Sequence, residues 1–191
     1  MIHRVCLLML GAVALYSHGL RAEWPPPQAP VVPAADGFVV IPNAAVPPDP
    51  GRAYRAVFDA TRSADKPTQL LPTLNMAGSE LNAFGVARVP REKVKLVVVF
   101  HGAALNGILD DAHYRAKFGV ANPNLPVLEQ FRKAGVGLYV CGQNLAFEHV
   151  DPRSLSPAVT VASDALIVLI TYQNRGYAIL IGVRRPIRGE M

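Results

Sequence analysis

A chain of 191 residues has room for one ordinary domain of roughly 100 to 200 residues and would be cramped as two. With 51% hydrophobic and 17% charged residues it is neither disordered nor collagen-like, so a packed core is expected. Its net charge of +5 comes from Lys and Arg scattered along the chain, with a small group at Arg184, Arg185 and Arg188, a pattern that argues against a nucleic-acid partner.

Residues 1–22 read as a signal peptide. His3 and Arg4 make a short basic start, Val5 to about Tyr16 is an apolar run, and Ser17 to Ala22 ends on the small residue that signal peptidase needs. The expected location is therefore the periplasm, with cleavage after Ala22. An uncleaved membrane anchor is the alternative, but about 12 apolar residues fall short of the ~20 that cross a bilayer as a helix. No later segment is apolar for that long, so no stable membrane insertion is expected after cleavage. Cleavage removes two arginines and no acid, leaving 17 basic against 14 acidic residues, a net +3. It also removes Cys6. Cys141 is then the only cysteine, and the fold must rest on packing without an internal disulfide. A lone thiol in an oxidising compartment is buried, reactive or paired with another chain.

Residues 23–50 hold nine of the seventeen prolines. Proline lacks a backbone donor and favours extended polyproline backbone, so this stretch is a linker or an arm wrapped over the domain. Gly37 to Pro42 is apolar enough to dock, against the same chain or a neighbouring subunit.

From Gly51 to residue 183 strand and helix signals alternate, and 184–191 reads as a basic tail. Ala53 to Asp59 predicts a strand, and Gln69 to Phe84 carries Leu70, Leu71, Leu74, Met76, Leu81 and Phe84 at helical spacing. Val94 to Phe100 is a continuous β-branched run, the mark of a strand covered on both faces. A polar, irregular stretch follows to Asn124. Leu125 to Ala134 has a helical apolar face with Gly135 as its stop, and Gly137 to Cys141 is the next strand. A short helix is predicted from Asn144 to His149, a strand from Val159 to Ala162, and a helix capped by Ser163 or Asp164 through Gln173. Tyr177 to Ile181 is the last strand. Such β-then-α order predicts an α/β fold, three layers (α/β/α) around a mostly parallel five-stranded sheet.

Ligands of open parallel sheets collect beyond the carboxyl ends of the strands. His101 directly follows the second strand, Cys141, Gly142, Gln143 and Asn144 directly follow the third, and Asp59 and Thr61 close the first. Cys141 precedes a helix start, where free N–H groups and the helix dipole favour a thiolate, the nucleophilic form. His101 within reach would hold its proton. Each residue has a plainer reading: Cys141 as a small hydrophobe ending a buried strand, and His101 as a turn residue bonded to a carbonyl. His113 and His149 lie among charged residues and face solvent. Asp110 and Asp111 are a solvated or capping pair, and Asn122 to Pro126 a turn with a helix cap. With no Cys-x-x-Cys or His-x-x-x-His, no metal site is expected, and no other cofactor. Gly135-Val136-Gly137 precedes a strand, so it is no dinucleotide loop, and Gly-x-Ser-x-Gly is absent.

VVVFHG at 97–102, NPNLPVLEQFRKAGVGLYVCGQNLA at 122–146 and LSPAVTVASDALIVLITYQNRGYAIL at 155–180 together resemble the DsrE/DsrF-like family, in its exported branch. The most specific part runs from a helix through Gly135-Val136 and a strand to Cys141-Gly142, with Gln173, Gly176 and Tyr177 ending the pattern. The resemblance implies a homo-oligomer, trimer or hexamer. It also implies a sulfur carrier whose Cys141 takes sulfane sulfur as a persulfide from a donor protein and passes it to an acceptor. His101, Gly142, Gln143 and Asn144 would shape the pocket. The alternative is a non-enzymatic oligomeric module that binds a small ligand, with a structural cysteine.

Overall fold

The computed structural model describes residues 23–181. The predicted signal peptide, Cys6 and the predicted basic tail lie outside the described residues. Five strands, β1 (Tyr54–Ala60), β2 (Val94–Phe100), β3 (Gly137–Cys141), β4 (Thr160–Ala162) and β5 (Ala178–Ile181), form one sheet in the order β4-β3-β2-β1-β5. Every pairing in it is parallel. The helices are α1 (Pro72–Val86), α2 (Asp111–Phe118), α3 (Leu125–Lys133), α4 (Gly142–Phe147) and α5 (Ala165–Asn174).

Handedness dictates the layering. From β1 through β4 the chain steps in one direction across the sheet, so right-handed crossovers set α1, α3 and α4 on one face. β5 lies back beside β1, which reverses the direction and sends α5 over the opposite face. Alternate residues of each strand then serve the two layers. Phe58, Ala60, Leu96, Val98, Phe100, Leu138 and Val140 pack with Leu74, Val127, Phe131 and Leu145. Val57, Val97, Val99 and Cys141 pack with Ala165, Val168 and Leu169 of α5.

The boundaries of β2 and β3 are those predicted, and the other predicted elements shift by one to three residues. The stretch predicted as irregular is not. It holds a 3-10 turn at Gly102–Ile108 and the helix α2, whose sequence DAHYRAKF buries only Tyr114 and so has no apolar stripe to read. Asn124 also differs from expectation. Its side chain makes no cap for α3; its Oδ1 accepts from Leu71 N (2.8 Å) at the head of α1.

The proline-rich arm packs on its own domain. Gln28 and Phe38 pair as an antiparallel bridge, N to O at 2.9 and 2.8 Å, and the loop between them inserts Val32, which is fully buried. Val40 and Ile41, in the stretch expected to dock, stay largely exposed. The receptor is one face of α1, where Asn75, Gly78, Asn82 and Gly85 recur at helical spacing. Side chains at the two glycines would overlap Ala35 and Val31. Buried Asn82 accepts from Val31 N (3.0 Å) and Val32 N (2.8 Å), and donates to Val32 O and Asp36 O (both 3.1 Å). Asn82→Ala strands all four backbone groups. It is expected to cost about 2–4 kcal/mol in a urea titration, with new protease cuts between residues 28 and 38 of the folded domain.

Candidate functional site

Three residues close the carboxyl ends of neighbouring strands on the α5 face. In β1 the alternation runs Val57, Asp59; in β2, Val97, Val99 and then His101; in β3, Tyr139, Cys141. The ladder pairs Asp59 with Val99 and Val99 with Tyr139. It also pairs Phe100 with Val140, so His101 and Cys141 are the next residues on adjacent strands.

His101 continues β2 in extended backbone, its N–H donating to Ala60 O (2.9 Å). Gly102, at φ +56°, then turns the chain away. The His101 ring reaches across to β1, where its Nε2 lies 2.7 Å from Asp59 Oδ1. The two side chains are 25% and 17% exposed, so this contact is sheltered from water.

Cys141 is 6% exposed and belongs to the apolar cluster beneath α5. Its Sγ accepts the Asn144 N–H (3.4 Å) at the head of α4, a long, weak contact that still points a donor at the sulfur. Among the described residues no hydrogen bond joins Cys141 to His101; they are neighbours by register. Asn144 Oδ1 is buried with no hydrogen-bond partner. Gln143 is exposed and its Nε2 donates to Ser163 O (3.4 Å). Gly142 is a packing requirement, because a Cβ there would lie 2.6 Å from Ala162 O, where α4 passes the end of β4.

The remaining candidates lie elsewhere. Asp110 caps α2 by accepting from His113 N (2.8 Å), and that bond holds its carboxyl below the usual range. The His113 side chain, 57% exposed, folds onto the same carboxylate through Nδ1. Asp111 accepts from Asn122 N and Arg115 Nε. His149 is exposed. On the α5 face away from the strand ends, burial and then a 3.0 Å bond to Tyr139 push the Tyr172 phenol up to about 12. Among the described residues no three His, Cys, Asp or Glu side chains group to hold a metal ion.

One feature of this sheet edge carried no sequence signal. A cavity of about 290 Å³ opens on the opposite layer, between the loop after β1 (Asp65, Lys66, Gln69) and Asn106, Tyr114 and Phe118. Its walls come from four separate stretches of the chain, 63–71, 106–107, 114–118 and Asn124.

The model of the DsrE/DsrF-like family matches residues 54–181, from the first residue of β1 to the last of β5. The chain belongs to the DsrE/DsrF-like family. That family is associated with sulfur relay. Among solved structures the chain is similar to a protein of unknown function, MTH1491, from Methanobacterium thermoautotrophicum. The identity is 18%, covering 67% of this chain and 98% of that one, with a TM-score of 0.45. No curated protein matches the sequence. Within this DsrE-like domain the tight junction at Gly142 is testable. Gly142→Ala is expected to cost about 1–3 kcal/mol by thermal or urea unfolding and to raise the labelling rate of Cys141, as α4 is pushed off β4.

Proposed function

We propose that this DsrE-like protein is exported to the periplasm and carries sulfane sulfur as a persulfide on Cys141, receiving it from one partner and giving it to another. The observation that carries this reading is the placement of Cys141. It closes β3 at the sheet edge where ligands of parallel α/β folds collect, in register beside a sheltered histidine–carboxylate pair. In the loading step the Cys141 sulfur attacks the terminal sulfur of a donor persulfide. The donor S–S bond breaks as the new one forms, and the donor leaves as a thiol, so no oxidant or reductant is consumed. Export rests on residues 1–22, and an oxidising compartment suits a carrier whose only remaining thiol is sheltered.

A second reading rests on two observations, the burial of Cys141 and the cavity beside Lys66 and Gln69. It makes the chain a non-enzymatic module that binds a small ligand, with the cysteine filling space. Intact mass of the mature protein after exposure to a low-molecular-weight persulfide separates the two. A gain of one sulfur atom in the native protein, lost in Cys141→Ser and on reduction, is expected of the carrier. No gain, and a thiol that iodoacetamide reaches only in denaturant, would leave the binding module.

We propose further that the protein is a homo-oligomer, a trimer or hexamer, assembled through α5. The first six residues of this helix, ALIVLI, are apolar on every side, and it exposes Leu166 (61%), Ile167 and Ile170 (57%) while edge strand β5 exposes Ile181. Each such side chain gains about 1.5–3 kcal/mol when fully buried. Light scattering of the mature protein should give a multiple of the chain mass. Leu166→Glu with Ile170→Glu should return it to the monomer with the domain still folded.

A further inference from the structure

We propose that Asp59 is a positioning residue that fixes His101 as the proton carrier of the Cys141 site. The proposal rests on the sulfur-transfer reading for its reaction and on the strand geometry for its parts.

A carboxylate only accepts hydrogen bonds, so the 2.7 Å contact puts a proton on His101 Nε2 and makes Nδ1 the basic nitrogen of the neutral ring. The same contact fixes the ring's orientation at the strand end. Asp59 has no evident structural duty. Its ladder neighbours on this level are Val99 and Ile181, and among the described residues its side chain has no Arg, Lys or backbone N–H partner besides His101. A partly buried carboxylate set between apolar neighbours carries a desolvation cost that an aliphatic side chain would avoid. His101 has no capping duty either, since its side chain makes no cap for the 3-10 turn it precedes. A second Asp–His pair among the described residues shows what such a duty looks like. Asp110 caps α2 through a backbone N–H, and His113 lies on it in water.

The loading reaction needs a proton carrier. Cys141 loses its S–H proton as it attacks the donor's terminal sulfur, and the departing donor sulfur needs one. His101 Nδ1 takes the first and delivers it to the second, so one proton crosses the site and the ring ends as it began. Asp59 stabilises the imidazolium between the two transfers and keeps the ring from turning its Nδ1 away. Asn144 N–H, aimed at the sulfur, steadies the thiolate in the same interval.

The test uses the mature full chain. Histidine ¹⁵N NMR of the wild type reads the tautomer directly, with the Nε2–H form expected for His101. Iodoacetamide capture of Cys141 and sulfur gain from glutathione persulfide are then timed in wild type, Asp59→Asn, Asp59→Glu and His101→Gln. His101→Gln should slow both by on the order of 100-fold and Asp59→Asn by on the order of tenfold, with Asp59→Glu partly restored. Unfolding midpoints show that rates, not folding, have changed. Wild-type rates in Asp59→Asn, or an Nδ1–H tautomer in the wild type, overturn the proposal, and the NMR result decides even where a variant does not fold. If iodoacetamide capture depends on Asp59 but no sulfur is gained, the pair stands and the sulfur reading falls. If sulfur is gained equally fast without Asp59, the sulfur reading stands and this proposal falls.

Discussion

A parallel sheet must be covered on both faces, and with right-handed crossovers the strand order decides which helices do the covering. Here the order β4-β3-β2-β1-β5 assigns several helices to one face and α5 alone to the other. The site follows from that assignment. Strand alternation sends Asp59, His101 and Cys141 to the thinly covered face, while Phe58, Phe100 and Val140 fill the thick one. Had β5 been added beside β4, α5 would have fallen on the same side as α1. The chemistry-bearing face of the sheet would then have been bare.

The arm solves a related problem on the thick side. α1 turns away from the sheet a face of two amides and two glycines, which lets a neighbouring backbone approach closely but asks it for hydrogen-bonding groups. An extended segment meets both conditions, because its own N–H and C=O groups need partners and Asn82 supplies them from inside the contact. Asn75 repeats the device at the end of the loop, accepting from Asp36 N (2.9 Å) and donating to the Asp36 carboxylate (2.7 Å). Pro30 and Pro33 inside the bridged loop limit the conformations open to the undocked segment, so fewer are lost on docking. The arm also occupies the α1 surface. Contacts with another copy through this layer would have to meet the arm first, which leaves α5 as the open apolar face.

Legibility followed the physics of each element. β2 and β3 were readable because burial on both faces leaves an unbroken apolar run, and α3 because one face is apolar and Gly135 ends it at φ +65°. α2 was not, because its place depends on a cap and on Tyr114 alone. The candidate residues at the strand ends could be found by position, since a rule about sheet edges needs only the strands. Their pairing could not. Asp59 and His101 are 42 residues apart, and the bond between them exists only because β1 lies next to β2 in this register. Asn124 makes the same point in reverse, as its neighbours suggest a local cap while its oxygen serves a helix 53 residues earlier. Asn82 carried no signal at all. A polar residue inside a helical apolar pattern reads as a solvent position until the arm is seen lying on it.

α5 joins these threads. A helix whose first six residues, ALIVLI, are apolar all round is ordinarily a buried one, yet this helix has the sheet on one side only. Its inner face, Ala165, Val168 and Leu169, closes over Cys141 and the valines of β1 and β2. Among the described residues its outer face has no partner. An assembly that buried the outer face would hold α5 against the sheet and set how readily the sulfur beneath it is reached. Cover for Cys141 and the exposed Leu166, Ile167 and Ile170 therefore belong to one helix, whose first turn is held by Asp164 accepting from Leu166 N at 2.6 Å.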